Sequence, residues 1–384
     1  MGQAIPSNSL GPQRAPAARP RPLEFFMNNR HHFWFFSFLI LTTAFAMRPI
    51  TAQEPNTAAT PIKGTFEKIT VHGRSLERNL EGDSPDREVF IYLPPSYARE
   101  TTRQYPVIYF LHGYSVNAQA YVRSLGLPQT AEAAMTKDGG REMILVLPDA
   151  FTKYSGSMYS NSLTTGDWEG YVSADLVSYI DSHYRTVATR DGRGLSGHSM
   201  GGYGTVRIGM KQPAVFSALY AMSSCCLMNN ISQGRGAAPN PAPAAEDSVR
   251  RGRGGRGDGF ANALFAQAAA WAPNPMNPPQ FFDLPTQDGV VQPLIAAKWI
   301  ANSPLVMVDQ YVPSLKQYRA IAMDVGNEDT LGASNKDLDQ ALTRLGVAHS
   351  FEVYEGNHTN KVRERFETNV ISFFAQHLTF PAAK

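Results

Sequence analysis

The chain is predicted to be an α/β protein, built on a mostly parallel sheet of about eight strands with helices on both faces. Three observations carry that prediction. Short apolar runs alternate with stretches whose apolar residues recur at helical spacing, the pattern of strands laid side by side through helical crossovers. Most of these runs are apolar throughout, as strands buried on both faces must be. A glycine-flanked serine, Gly197-His198-Ser199-Met200-Gly201, stands where one strand passes into a helix.

The mature chain opens with two extended segments, Thr65 to His72 and Arg87 to Leu93, parted by the turn residues Glu81-Gly82-Asp83-Ser84-Pro85 and read as an antiparallel edge hairpin. Parallel strands follow at Val107 to Leu111, Met143 to Leu147, Arg193 to Gly197, Phe216 to Met222, Ala320 to Val325 and Ser350 to Tyr354. Helical faces are formed by Val172, Leu176, Val177 and Ile180, by Leu338, Ala341, Leu342 and Leu345, and by Val362, Phe366, Val370 and Phe373, and Tyr203 to Lys211, with Val206, Ile208 and Met210, is read as a helix. In such sheets ligands bind at the carboxyl ends of the strands.

The flanking and inserted segments read differently. Residues 1–26 are rich in Pro, Arg and Ala and predict disorder. Arg30-His31-His32, the apolar run Phe33 to Leu41 and small residues around Ala46 make a secretory signal layout, with cleavage after Ala46 or Ala52; Met27 makes a tidier start for it. The run is shorter than a membrane span needs, so a secreted or periplasmic form without a stable span is expected. Residues 53–384 then make one domain, and the length of about 330 residues is enough for a large core. Removal of residues 1–46 takes away four of 35 basic and one of 33 acidic residues, leaving 31 and 32. The balance implies no nucleic-acid partner.

Residues 229–290 interrupt the alternation. Gly234 to Pro243 and Arg250 to Gly257 are low in complexity, and in an exported enzyme the Gly/Arg run reads as a flexible loop rather than an RNA-binding tract. A short helical piece, Phe260 to Trp271, follows. The ordered part of the insert is placed to act as a lid, and Phe281, Phe282 and Trp299 are either pocket walls or core. The two cysteines, Cys225 and Cys226, are adjacent; they are either a strained vicinal disulfide or two small buried thiols.

The chemistry is sought around Ser199. A serine hydroxyl is a weak nucleophile unless a base takes its proton. Of the nine histidines, His358 lies in the loop after the last strand, at the sheet edge where a base is needed. His198 is next to the nucleophile, but the turn directs its side chain away from Ser199, and His112 is read as a loop-shaping residue. A carboxylate must orient the base; Asp329 is the first choice and Glu328 the second, both after the strand Ala320 to Val325, while Asp324 is structural. Two backbone N–H groups must meet the developing oxyanion. Met200, directly after the nucleophile, and Tyr114, in the turn Leu111-His112-Gly113-Tyr114, are assigned that part, each worth roughly 3 to 4 kcal/mol.

Five motifs occur in order: Tyr109-Phe110-Leu111-His112-Gly113, Val146-Leu147-Pro148-Asp149, Gly197-His198-Ser199-Met200-Gly201-Gly202-Tyr203-Gly204, Gly326-Asn327-Glu328-Asp329 and Gly356-Asn357-His358. Together they resemble the esterase family that includes esterase D (S-formylglutathione hydrolase), feruloyl and acetylxylan esterases, enterochelin esterases and the mycobacterial mycolyltransferases. The resemblance covers about residues 60–380 apart from the Gly/Arg insert, which departs from the pattern. It implies an α/β-hydrolase fold and a nucleophile, acid and base at Ser199, Asp329 and His358; a glutamate serves as acid in some members, which keeps Glu328 open. The expectation is a secreted serine carboxylesterase with no metal or organic cofactor, acting on a small-molecule or polysaccharide ester such as a feruloyl or acetyl ester. An acyltransferase and a non-catalytic binding protein on the same fold are the alternatives.

Overall fold

The computed structural model describes residues 63–229 and 256–381. The expected leader within residues 1–52, and the Gly/Arg-rich stretch of the insert as far as residue 255, lie outside the described residues. Eight strands form one sheet: β1 (Thr65–His72), β2 (Asp86–Leu93), β3 (Val107–Leu111), β4 (Ile144–Pro148), β5 (Arg193–His198), β6 (Ala218–Met222), β7 (Ala320–Gly326) and β8 (Ser350–Tyr354). Their spatial order is β1-β2-β4-β3-β5-β6-β7-β8. β1 pairs antiparallel with β2, from Thr65 opposite Leu93 to His72 opposite Asp86, and β2 is antiparallel to β4. Every remaining pairing is parallel.

Alternation along the buried strands divides the core in two. Val107, Tyr109 and Leu111 of β3, with Val146, Leu195 and Leu219, face one side, where they meet Trp168, Leu176, Ile180 and Tyr203. Ile108 and Phe110, with Leu145, Leu147 and Tyr220, face the other and meet Tyr121, Ala131, Phe366 and Phe374. Strand ends depart from the sequence reading by a residue or two. Phe216 is the clearest case: it is buried edge-on against Tyr109, ring centroids 5.7 Å apart, and β6 begins only at Ala218.

The last helix corrects one expected face. Its helical stretch Val362–Arg365 runs into a π turn, Phe366–Val370, before Ile371–His377. The wider turn shifts the helical phase, so Phe374 enters the core and Phe373 is left half-buried at its margin.

The insert is more ordered around its helix than composition suggests, since the helix runs Arg256–Trp271 rather than from Phe260. Ala266 and Ala268 through Trp271 are buried. Trp271 Nε1–H donates to Ser160 Oγ at 3.2 Å, and its ring meets Trp299 edge-on at 5.3 Å. Trp299 and Phe282 are thereby core residues, and Phe281 is half-buried. No helix among the described residues is long and apolar enough to cross a membrane.

Candidate active site

The serine turn is tightly constrained. Ser199 has φ 58° and ψ −113°, a conformation that side-chain-bearing residues avoid, between the end of β5 and the helix Met200–Lys211. Strand and helix cross so closely that a Cβ on Gly197 would lie 2.5 Å from the Gly201 carbonyl, and one on Gly201 would lie 1.9 Å from Leu111 O. Backbone bonds fix the turn: Ser199 N–H donates to Met222 O at 3.0 Å, and Ser199 O accepts from Tyr203 N–H and Cys225 N–H at 3.0 and 3.1 Å.

The loops after β7 and β8 bring two side chains to this serine. His358 Nε2 is 2.9 Å from Ser199 Oγ, and its Nδ1 is 2.8 Å from Asp329 Oδ2. The Asp329 side chain is fully buried and its Oδ1 accepts from Leu331 N–H at 2.9 Å, so the carboxylate is held from both ends. An Asp329 carboxylate accepting from Nδ1 leaves Nε2 unprotonated and facing the serine hydroxyl. Glu328, the second candidate, is exposed; its N–H donates to Gly356 O, and no hydrogen bond joins its carboxylate to His358. The His358 side chain is one-third exposed, whereas Ser199 is buried.

Tyr114 and Met200 lie beside each other, since a Cβ on Gly156 would strike both the Tyr114 ring and Met200 Sδ. A Cβ on Gly113 would lie 3.5 Å from Ser199 Cβ, which places the turn after β3 directly against the serine. Neither the Tyr114 nor the Met200 N–H meets a backbone acceptor among the described residues. His112 shapes that turn as expected: its Nδ1 is 2.8 Å from Gly113 O, and its Nε2 accepts from Ala150 N–H at 2.8 Å.

His198 holds a position that sequence reasoning passed over. Its ring makes no bond to Ser199 but lies 4.7 Å from the His358 ring, centroid to centroid. Tyr121 Oη is 2.5 Å from Nδ1, and Nε2 is 2.8 Å from His358 O. Because a carbonyl can only accept, Nε2 carries the proton and Tyr121 donates to Nδ1. Burial, reinforced by the neighbouring His358, depresses His198 to about 3, so it stays neutral beside His358. The one sequence signal for this was its place inside the serine motif; Tyr121, which fixes its tautomer, carried none.

Ser196 behaves as a strand residue, donating to Tyr220 O at 2.8 Å. Asp324 is buried under Tyr220 and Arg365, away from the His358 contact. The described residues contain no group of three or more His, Cys, Asp or Glu side chains placed to share a metal ion. A cleft of about 980 Å³ opens on the insert, between Phe265, Phe282, Gln280 and Asp288. Phe265 and Phe282 pack together and both meet Tyr154, whose carbonyl accepts from Tyr114 Oη at 3.0 Å.

Similarity to known proteins agrees with this architecture. Residues 84–375 match the family described as "Putative esterase". Esterase Rv1288 and Esterase MT1326, from two strains of Mycobacterium tuberculosis, are each 31% identical over 136 residues, which is 34% of this chain. The match spans only 27% of the length of those relatives. Among solved structures, a ferulic acid esterase superposes with a TM-score of 0.59 at 19% identity, over 83% of this chain and 99% of that one. The Staphylococcus aureus fluorophosphonate-binding serine hydrolase FphF gives 0.54 at 18%, over 82% and 99%. An S-formylglutathione hydrolase from Agrobacterium tumefaciens gives 0.54 at 14%, over 83% and 98%. At those identities the likeness is one of fold, and the fold is that of the α/β-hydrolases. With the family model spanning most of its length, the chain belongs to the esterase family.

Proposed function

We propose that the protein is an exported serine carboxylesterase that works through an acyl-enzyme, with Ser199 as nucleophile, His358 as general base and Asp329 as its orienting acid. The observation that carries this reading is the continuous line of two short hydrogen bonds from Asp329 through His358 to the strained Ser199. His358 Nε2 takes the hydroxyl proton as Oγ attacks the ester carbonyl carbon. The N–H groups of Met200 and Tyr114 receive the oxyanion, and the Asp329 carboxylate stabilises the imidazolium. His358 then returns the proton to the departing alcohol. Water attacks the acyl-enzyme by the same route in reverse, releasing the acid and restoring Ser199.

The substrate class proposed is a carboxylic ester, with feruloyl or acetyl esters of polysaccharides first; the ferulic acid esterase likeness and the leader-like residues 30–46 support it. The test is hydrolysis of acetyl, butyryl, longer-chain and feruloyl esters by wild type and Ser199→Ala. Turnover by the variant is expected to fall by up to roughly a millionfold. Equal turnover by Ser199→Ala would defeat the reading. Products formed with a sugar acceptor present distinguish the two fates of an acyl-enzyme: free acid marks hydrolysis, and acylated sugar marks transfer.

A further inference from the structure

The segment that leaves β6, Ser223-Ser224-Cys225-Cys226, has no part in the proposed proton relay, yet it grips the nucleophile. Met222 O and Cys225 N–H hold the two backbone polar groups of Ser199. At its end the two half-buried thiols face each other. Cys226 Sγ lies 2.8 Å from Cys225 Sγ, inside the ordinary contact distance of two sulfur atoms, and both cysteines are free. Cys226 adopts φ 58°, a left-handed conformation unusual for a residue with a side chain. Gln267 Nε2, on the insert helix Arg256–Trp271, donates to Cys226 Sγ at 3.6 Å. The pair therefore stands between the serine turn and the insert. Two thiols serving only as filler have no reason to be set sulfur against sulfur on a strained backbone.

We propose that Cys225 and Cys226 form a thiol–disulfide exchange site, which a small organic disulfide converts to a vicinal disulfide. The Cys226 thiolate, the sulfur that Gln267 Nε2 contacts at 3.6 Å, attacks one sulfur of the reagent RSSR; the S–S bond breaks and RS⁻ leaves. Cys225, whose thiol is pushed up by its hydrogen bond with Cys226 and by burial, is the weaker first nucleophile and acts second. Its thiolate attacks Cys226 Sγ in the mixed disulfide and expels the second RS⁻. The two thiol protons finish on two RSH; the cysteines lose two electrons and the reagent gains them. Closure brings the sulfurs from 2.8 Å to about 2.05 Å, a movement of less than an ångström at sulfur, with the backbone of these adjacent residues adjusting to the bridge. Proposed export supplies the setting, since organic disulfides persist outside the reducing cytoplasm, but the chemistry stands without it. Ring closure stiffens the residues that hold Ser199, so the redox state is expected to alter the reactivity of that serine.

The experiment uses the full chain, equilibrated with oxidised glutathione and then with reduced glutathione, alkylated under denaturing conditions and weighed intact. Oxidation is expected to lower the mass by about 2 Da and to abolish alkylation at both cysteines, and reduction to restore two alkylated thiols. Cys225→Ser, a near-isosteric change, should stop at a stable glutathione adduct on Cys226. Two alkylated thiols after oxidation, a persistent adduct on wild type, or a disulfide between two chains would each overturn the site. Labelling of Ser199 by a fluorophosphonate should proceed at different rates in the two forms, and equal rates would overturn the coupling. Absence of labelling in both forms would count against the esterase reading and leave the mass result to decide the exchange site.

Discussion

Two carboxylates five residues apart, Asp324 within β7 and Asp329 just beyond its end, have opposite surroundings. Each reaches across to a basic residue that follows β8: Asp324 to Arg365, with Nε 2.9 Å from Oδ2, and Asp329 to His358 at 2.8 Å. The Asp324 cluster is closed. Tyr220 Oη donates to the same oxygen at 2.8 Å, and Arg365, itself buried, also bonds the half-exposed Glu352 and lies over the Tyr354 ring. The Asp329 line is the more open, because it ends on an imidazole that is one-third exposed and on the Ser199 hydroxyl. A permanently charged guanidinium cannot give up a proton, whereas an imidazole can. The contrast teaches that burial and pairing alone do not single out a carboxylate for proton transfer; the role proposed for Asp329 rests on a partner that can exchange a proton.

Substituting the two acids alike should separate them most sharply. Asp329→Asn should lower kcat by about ten thousandfold while leaving urea unfolding nearly unchanged, because the amide favours the wrong His358 tautomer. Asp324→Asn should leave kcat within a few fold, because Asp324 makes no contact with His358. Paired steady-state kinetics and urea titrations on the two variants make the check. A collapse of kcat in Asp324→Asn comparable to that of Asp329→Asn would erase the distinction.

The closed cluster should reveal itself in stability. Arg365→Met removes one partner of a buried pair and leaves Asp324, whose Oδ1 already lacks a hydrogen bond, without its cation. A loss of about 3 to 5 kcal/mol is expected, read from the urea midpoint. Adding Asp324→Leu should recover much of it, since the cost comes from the orphaned acid and not from the missing guanidinium. A double variant no more stable than Arg365→Met would show instead that the arginine stem and its Glu352 and Tyr354 contacts carry the region.

The sequence exposes the elements of this comparison unevenly. Strand positions were legible because fully apolar runs such as Val107–Leu111 can hardly be anything but buried strands. Ser199, His358 and Asp329 were legible as candidates because each stands just past a strand end, where a parallel sheet collects its loops. Between Asp329 and Glu328 the sequence offered only an order of preference, Asp329 first, since adjacent residues in a turn face different ways and the turn's backbone decides which meets His358. The π turn at Phe366–Val370 was hidden because nothing in its composition distinguishes an extra residue per turn from a regular helix. The Tyr121–His198–His358 chain was hidden because its members come from three distant segments and no local pattern links them.

The smallest expected effect concerns the second imidazole. His198 is depressed from 6.5 to about 3, chiefly by burial, so the native state resists a proton that the unfolded chain accepts. Its contribution to stability is therefore complete above pH 6.5 and is lost as the pH falls toward 3, at about 1.4 kcal/mol per pH unit within that window. His198→Gln retains an amide N–H for His358 O but does not titrate. Urea unfolding of wild type and variant at pH 6.5, 5.5 and 4.5 should give a shallower fall for the variant by about that slope. If the two slopes coincide, His198 takes up its proton in the folded protein, and a cationic ring would then lie 4.7 Å from the His358 ring.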